Sequence, residues 1–137
     1  MLRQGPISRF LHGAFEYVAG ALLIAAPFLL AFDAGAAVAL SIVAGVLLIA
    51  VAASTEGPTS LINSLPLPVH LLLDLALAAV LIASPFLFGF SDESSPTAFF
   101  IVLGVLHLLV TIGTRFKAEH DRTDGREAGD IADEMFR

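Results

Sequence analysis

The sequence has no cysteine, no tryptophan and a single tyrosine, and it is short of charge: only 15% of its 137 residues are Asp, Glu, Lys or Arg. Without thiols there are no disulfides, no thiolate nucleophiles and no cysteine metal ligands, and no redox clue to compartment. Soluble domains carry about 25% charged residues. Here 57% of the chain is hydrophobic and the mean hydropathy is +0.87. A soluble fold of this composition has too little polar surface to cover itself, which argues against a soluble enzyme and against a disordered chain. Positive charge is confined to Arg3, Arg9, Arg115, Lys117, Arg122, Arg126 and Arg137, with none from Phe10 to Thr114, and the formal net charge is −6. A nucleic-acid partner needs a basic patch to neutralise phosphates, so no nucleic acid is expected.

What remains is a set of long apolar runs. Crossing about 30 Å of hydrocarbon takes about 20 helical residues. Four stretches qualify: Phe10 to Phe32, Ala34 to Ser54, Val69 to Phe90, and Thr97 to Thr114. Inside lipid every backbone polar group must bond within the protein, and runs of this length without alternation read as helices. Short acidic turns at Asp33–Ala37 and Ser91–Pro96 close two hairpins. A longer link, Ser54–Pro68, broken by Pro58, Asn63, Pro66 and Pro68, joins them. Arg3, Arg9, Arg115 and Lys117 flank the outermost spans, and the short turns hold only Asp33, Asp92 and Glu93. The positive-inside rule then places both termini on the cytoplasmic side of the membrane. The segment Arg3–Ala36 has the outline of a cleavable signal peptide. A recurrence of the same segment within the chain, where no cleavage is expected, favours a retained helix.

That recurrence is the strongest signal present. At an offset of 58 residues, identical pairs are His12/His70, Ala21/Ala79, Leu23/Leu81, Ile24/Ile82, Ala25/Ala83, Pro27/Pro85, Phe28/Phe86, Leu29/Leu87 and Phe32/Phe90. Glu16/Asp74 is a conservative match. One residue more in the turn moves the offset to 59 and aligns Ile42-Val43, Gly45-Val46-Leu47 and Thr55 with Ile101-Val102, Gly104-Val105-Leu106 and Thr114. Alanine and leucine richness alone does not align His, Pro, Phe and Gly together. Both copies enter from the same side, so a pseudo-two-fold axis along the membrane normal follows. The expected fold is all-α: a bundle of four transmembrane helices built from two duplicated hairpins with parallel pseudo-two-fold symmetry. The membrane domain spans 1–117, with repeats at about 10–55 and 68–114, and an acidic cytoplasmic tail spans 118–137.

The second copy reads Leu67-Pro68-Val69-His70-Leu71-Leu72-Leu73-Asp74, then Ala83-Ser84-Pro85-Phe86-Leu87-Phe88-Gly89-Phe90; the first carries Ala26-Pro27-Phe28. From Leu11 to Phe116 the chain resembles the SPW-repeat family of small integral membrane proteins. It departs from the family signature in having phenylalanine for tryptophan in both copies and alanine for serine in the first. The resemblance implies a bacterial or archaeal membrane protein with two helices per repeat, and no established catalytic role.

The polar residues inside the spans are few. His12 and Glu16 are four apart and share one helix face, as do His70 and Asp74. The duplication puts both pairs at one depth near the cytoplasmic end, and His107 on the fourth helix comes near the same layer. Ionisable groups within a membrane are costly and are functional hypotheses by default. The leading reading is a structural clasp that fixes bundle register. A proton or ion path is the second, although only Ser41, Ser84 and Thr111 could extend it outward. A metal site of two histidines and two carboxylates, able to hold zinc or iron, is the third; haem ligation by His12 and His70 is a fourth. The expectation at this stage is no catalytic, cofactor or metal residue.

Other features are given packing roles. Pro27 and Pro85 kink the first and third helices and free the carbonyls of Leu23 and Leu81, with Ser84 placed to bond a freed carbonyl. Phe28, Phe32, Phe86, Phe88, Phe90, Phe99 and Phe100 pack between helices. Gly20, Gly45, Gly104 and the Ser41-x3-Gly45 pair permit close crossings. The acidic tail is expected to be disordered, with Ile131 and Met135 as a possible short amphipathic turn. No phosphate loop or serine–histidine elbow is present. The sequence therefore points to a non-enzymatic structural or accessory membrane subunit, with transport, or metal or haem binding, as alternatives. Its partners would be membrane lipids, other subunits or itself.

Overall fold

A computed structural model describes residues 5–115 and 129–137. Arg3, Lys117 and the tail through residue 128 lie outside the described residues. Four long helices follow one another: α1 (Arg9–Leu29), α2 (Gly35–Ser54), α3 (Leu67–Leu87) and α4 (Ser94–Gly113). Each has 20 or 21 residues and is apolar enough to cross a membrane, with a length of about 30 Å at 1.5 Å per residue. α1 packs on α2 and α3 on α4, as two hairpins. The outward surface is apolar, with Val43, Val46, Leu72, Val102 and Leu109 exposed, while His12, Glu16, Ser41, His70, Asp74, Ser84, His107 and Thr111 are buried. This distribution is the reverse of a water-soluble bundle, and it suits lipid, where exposed polar groups find no partner.

The pseudo-two-fold relation is visible in bonds that exchange between repeats. Ile7 N–H donates to Gly113 O (3.0 Å) and Arg115 N–H to Ile7 O (2.9 Å). At equivalent positions, Leu65 N–H donates to Ser54 O (2.8 Å) and Glu56 N–H to Leu65 O (3.1 Å). These are isolated parallel bridges, Ile7 with Thr114 and Leu65 with Thr55. The first joins the start of repeat one to the end of repeat two, and the second joins the end of repeat one to the start of repeat two. Both lie at the end of the bundle that carries the termini. Arg9 Nη2 also donates to Glu56 O there (2.5 Å), and Arg115 Nε to Gly5 O (2.6 Å).

The hairpin crossings occur at small residues. A Cβ on Gly45 would lie 2.6 Å from Gly20 O, and one on Gly104 would lie 3.2 Å from Ala78 O. Gly20 and Ala78 are equivalent, as are Gly45 and Gly104, so both hairpins cross at the same level. Close backbone approach supplies van der Waals contact, the main cohesion available where lipid competes for apolar surface.

At the turn end, both odd-numbered helices stop in the same way. Leu30 N–H donates to Ala26 O and Phe32 N–H to Pro27 O; Phe88 N–H donates to Ser84 O and Phe90 N–H to Pro85 O. This is a Schellman closure, and it needs a left-handed residue. That residue is Gly89 (φ 72°) in the second copy and Ala31 (φ 48°) in the first. Phe32, Phe90, Phe99 and Phe100 then form one aromatic cluster, with Phe90 and Phe100 edge to face at 5.2 Å. Glu93 ties the two turns together: its carboxylate accepts from Asp33 N–H (2.6 Å) and Ala34 N–H (2.9 Å), where α2 begins without a side-chain cap of its own. Negative charge at a helix N-terminus is favourable.

Several expectations require correction. Ser94–Pro96 is not part of the turn but the first turn of α4, with Pro96 at a position where its missing N–H costs nothing. Pro68 likewise sits in the first turn of α3 rather than breaking the chain. Phe28, Phe86 and Phe88 do not pack between helices; they are exposed. Burying Pro27 and Pro85 turns the following residues, Phe28 and Phe86, outward, and Phe88 is the C-cap of α3. The freed carbonyls have different partners from those expected. Leu23 O accepts from Ser41 Oγ on α2 (2.5 Å), whereas Ser84 Oγ bonds Val80 O (2.5 Å), not Leu81 O. In the tail, residues 129–135 form a short helix with Ile131 and Met135 exposed, so disorder does not describe that part.

Left-handed backbone costs a residue with a Cβ about 1–2 kcal/mol. Ala31→Gly should therefore raise unfolding stability in detergent by about 1 kcal/mol, measured by denaturant titration, and Gly89→Ala should lower it. Gly45→Val should loosen the first hairpin far more, read as a large fall in thermal midpoint.

Candidate functional site

The site is built by the first two turns of α1 and α3, which face each other across the pseudo-two-fold axis. His12 and Glu16 project from α1, one helical turn apart; His70 and Asp74 project from α3 in the same register. All four are at most 3% exposed. The imidazoles meet edge to face, with centroids 5.4 Å apart and the two Nε2 atoms at 3.3 Å. His12 Nε2 lies 3.1 Å from Asp74 Oδ2 and 3.5 Å from Glu16 Oε1; His70 Nε2 lies 3.1 Å from Asp74 Oδ2 and 3.3 Å from Glu16 Oε1. Each carboxylate thus touches the histidine of its own helix and that of the other repeat. The cluster cannot be assembled from one hairpin.

The far nitrogens fix the imidazole orientation. His12 Nδ1 is 2.9 Å from Thr114 Oγ1, and His70 Nδ1 is 2.8 Å from Thr55 Oγ1. Each threonine hydroxyl already donates to the carbonyl four residues back, Val110 O (2.5 Å) and Val51 O (2.7 Å). Its remaining role is acceptor, so each Nδ1 carries a hydrogen. Both Nε2 atoms consequently face the carboxylates. The threonine of each repeat serves the histidine of the other, in the same exchange as the backbone bridges.

The two carboxylates are not equivalent. Asp74 has His107 Nε2 at 3.7 Å from Oδ1 and Thr111 Oγ1 at 3.5 Å from Oδ2. The positions of α2 that correspond to His107 and Thr111 are Leu48 and Ala52, so Glu16 has no such support. Glu16 Oε1 lies near both imidazoles but makes no aligned hydrogen bond, and neither ring nitrogen of His107 makes one among the described residues. Phe15 stacks on His107 at 6.1 Å. Between the cluster and the 55–66 link lies a cavity of about 30 Å³, room for a water molecule. Exposed Glu56 and Pro58 bound it on one side and the buried cluster on the other.

Every residue of the expected polar layer, His12, Glu16, His70, Asp74 and His107, is brought together. Pro27, Phe28, Pro85 and Phe86 lie near the opposite end and contribute nothing to the cluster. Thr55, Thr111 and Thr114 were missed as partners. The signal for two of them was present, since Thr55 and Thr114 are aligned polar residues in the duplication.

A family model described as the SPW repeat domain matches residues 10–114. No curated protein and no solved structure matches the chain.

Asp74 faces three imidazoles and a hydroxyl, whereas Glu16 faces two imidazoles. Polar contacts between membrane helices average about 0.6 kcal/mol and reach about 1.7. Asp74→Asn should therefore cost about 1–2 kcal/mol of unfolding stability and Glu16→Gln less; equal losses, or the reverse order, would contradict the asymmetry.

Proposed function

The chain belongs to the SPW repeat family, and from that premise we propose that this small membrane protein works without catalysis, as a structural or accessory subunit of a larger membrane assembly. The observation that supports this reading is the mutual contact of polar groups from the two repeats. One imidazole and one carboxylate from each repeat contact one another, the far nitrogens are held by threonines, and the remaining buried hydroxyls of Ser41 and Ser84 are bonded to helix carbonyls. Beyond the cluster, towards the turn end, the core is Ala19, Leu23, Leu81, Phe100 and Leu103. An apolar core offers no relay for a proton and no ligand for an ion, which weighs against transport. The cluster holds two hairpins together rather than opening a path.

The outer surface supports the partner side of the proposal. A groove of about 320 Å³ between α2 and α3 is lined mainly by apolar side chains such as Leu40, Val43, Leu47, Leu73 and Leu77, with Asp74 also in its wall, where an acyl chain or a neighbouring helix would fit. The placement of Arg9 and Arg115 at one end and Asp33, Asp92 and Glu93 at the other favours insertion with both termini in the cytoplasm.

Purified protein in liposomes with a pH-sensitive dye inside should show no proton flux above that of lipid alone under an imposed gradient. The double variant Glu16→Gln with Asp74→Asn should still insert, with only a modest loss of stability. A flux present in the natural chain and lost in the double variant would replace the structural reading with transport.

A further inference from the structure

Five of the six edges of the cluster match the dimensions of a tetrahedral coordination shell. Zinc bonds to nitrogen and oxygen at about 2.0–2.1 Å, which makes the edge of its ligand tetrahedron about 3.3–3.4 Å. Five edges among His12 Nε2, His70 Nε2, Glu16 Oε1 and Asp74 Oδ2 measure 3.1, 3.1, 3.3, 3.3 and 3.5 Å. One ligand atom from each of the four residues lies within 4.8 Å of every other. Hydrogen-bonded side chains can be this close in pairs, but two imidazole nitrogens and two carboxylate oxygens with five separations of 3.1–3.5 Å and none above 4.8 Å border a common centre.

The surrounding bonds support the same arrangement. Metal-bound histidines donate the other ring N–H to an oxygen acceptor, which fixes the tautomer and aims the free nitrogen at the ion. Thr114 and Thr55 hold Nδ1 of His12 and His70 in this way. With each Nδ1 bonded to its threonine, both Nε2 atoms point at one another and at the two carboxylates, an arrangement closed by shared protons or by a cation. A divalent ion neutralises the two carboxylates and accepts all four lone pairs. Glu16 Oε1, buried and without an aligned hydrogen bond, gains a partner. Four protein ligands without sulfur suit zinc or another divalent first-row transition ion. The cavity bounded by Glu56 and Pro58 gives an access route from the end that carries the termini.

We propose that His12, Glu16, His70 and Asp74 form a binding site for one divalent transition-metal ion of the zinc type, shared between the two repeats. The site goes beyond the subunit role above: it holds whether or not the protein has a partner, and the structural reading survives if the cluster is closed by protons instead.

The test is titration of metal-stripped, folded protein in detergent with cobalt(II) and zinc(II). Cobalt reports its own coordination through its visible spectrum. The expected result is saturation at about one ion per chain with an intense tetrahedral spectrum, displacement by zinc, and a thermal midpoint that rises with free metal. Glu16→Gln removes a ligand without removing volume and should abolish the tetrahedral spectrum. Thr55→Val with Thr114→Val leaves the ligands in place and should weaken binding roughly 10–100-fold. Folded natural protein that takes up neither ion overturns the proposal. So does cobalt that gives only a weak octahedral spectrum, unchanged by Glu16→Gln, because that places the ion on exposed acids elsewhere. These readouts need no companion protein and no flux, so failure here leaves the proposed subunit role standing.

Discussion

Two carboxylates and two imidazoles buried in an apolar bundle cannot persist singly, and much of the association between the hairpins depends on this. A lone charge in such surroundings costs several kcal/mol. Each hairpin carries half of the compensating set. Docking of repeat one on repeat two brings His12 to Asp74 and His70 to Glu16, which replaces two half-satisfied pairs by one cluster. The hairpins themselves are held by small-residue crossings at Gly20/Gly45 and Ala78/Gly104. Those crossings provide shape complementarity within each repeat but none between repeats. Specificity between repeats comes from the cluster, the exchanged bridges at Ile7 and Leu65, and the Glu93 link between the turns.

Several contacts between the repeats come in exchanged pairs. Thr55 and Thr114, His12 and His70, and Ile7 and Leu65 all occupy exchanged positions in which one copy serves the other. Other paired positions differ, and each difference has a local consequence. Ser41 satisfies the carbonyl freed by Pro27; its counterpart Phe100 instead fills the aromatic cluster with Phe32, Phe90 and Phe99. Leu48 and Ala52 leave Glu16 in apolar company, while His107 and Thr111 attend Asp74.

Most of this was legible in the sequence for physical reasons. Four helices follow from hydrocarbon thickness and apolar run length, and the pairing of His12–Glu16 with His70–Asp74 follows from helical spacing combined with an internal repeat. Helix ends were less legible. Ser94–Pro96 carries the turn chemistry of a loop, yet the same residues are tolerated in a first helical turn, where N–H groups have no intrahelical partner. The outward direction of Phe28 and Phe86 depended on which way the prolines faced, a packing fact. The threonine contacts depended on the rotation between repeats. Sequence periodicity constrains the face within one helix and leaves the angle between hairpins open.

The depth of the cluster reconciles its polarity with insertion. His12 and His70 are the fourth residues of their helices, about 5 Å from the start at 1.5 Å per residue. Before the hairpins meet, each imidazole–carboxylate pair lies within reach of headgroups and water, so a single hairpin can enter the bilayer without carrying an unsolvated charge to its centre. Association then removes the same groups from water and encloses them behind the 55–66 link. Placing the pairs two turns deeper would have made insertion costly; placing them in the link would have left them hydrated and unable to hold the repeats together. The observed level satisfies both demands, and it leaves the turn-end half of the bundle to be closed by phenylalanine, by Glu93 and by the hydroxyls of Ser95 and Thr97 on the turn carbonyls of Leu30 and Phe90.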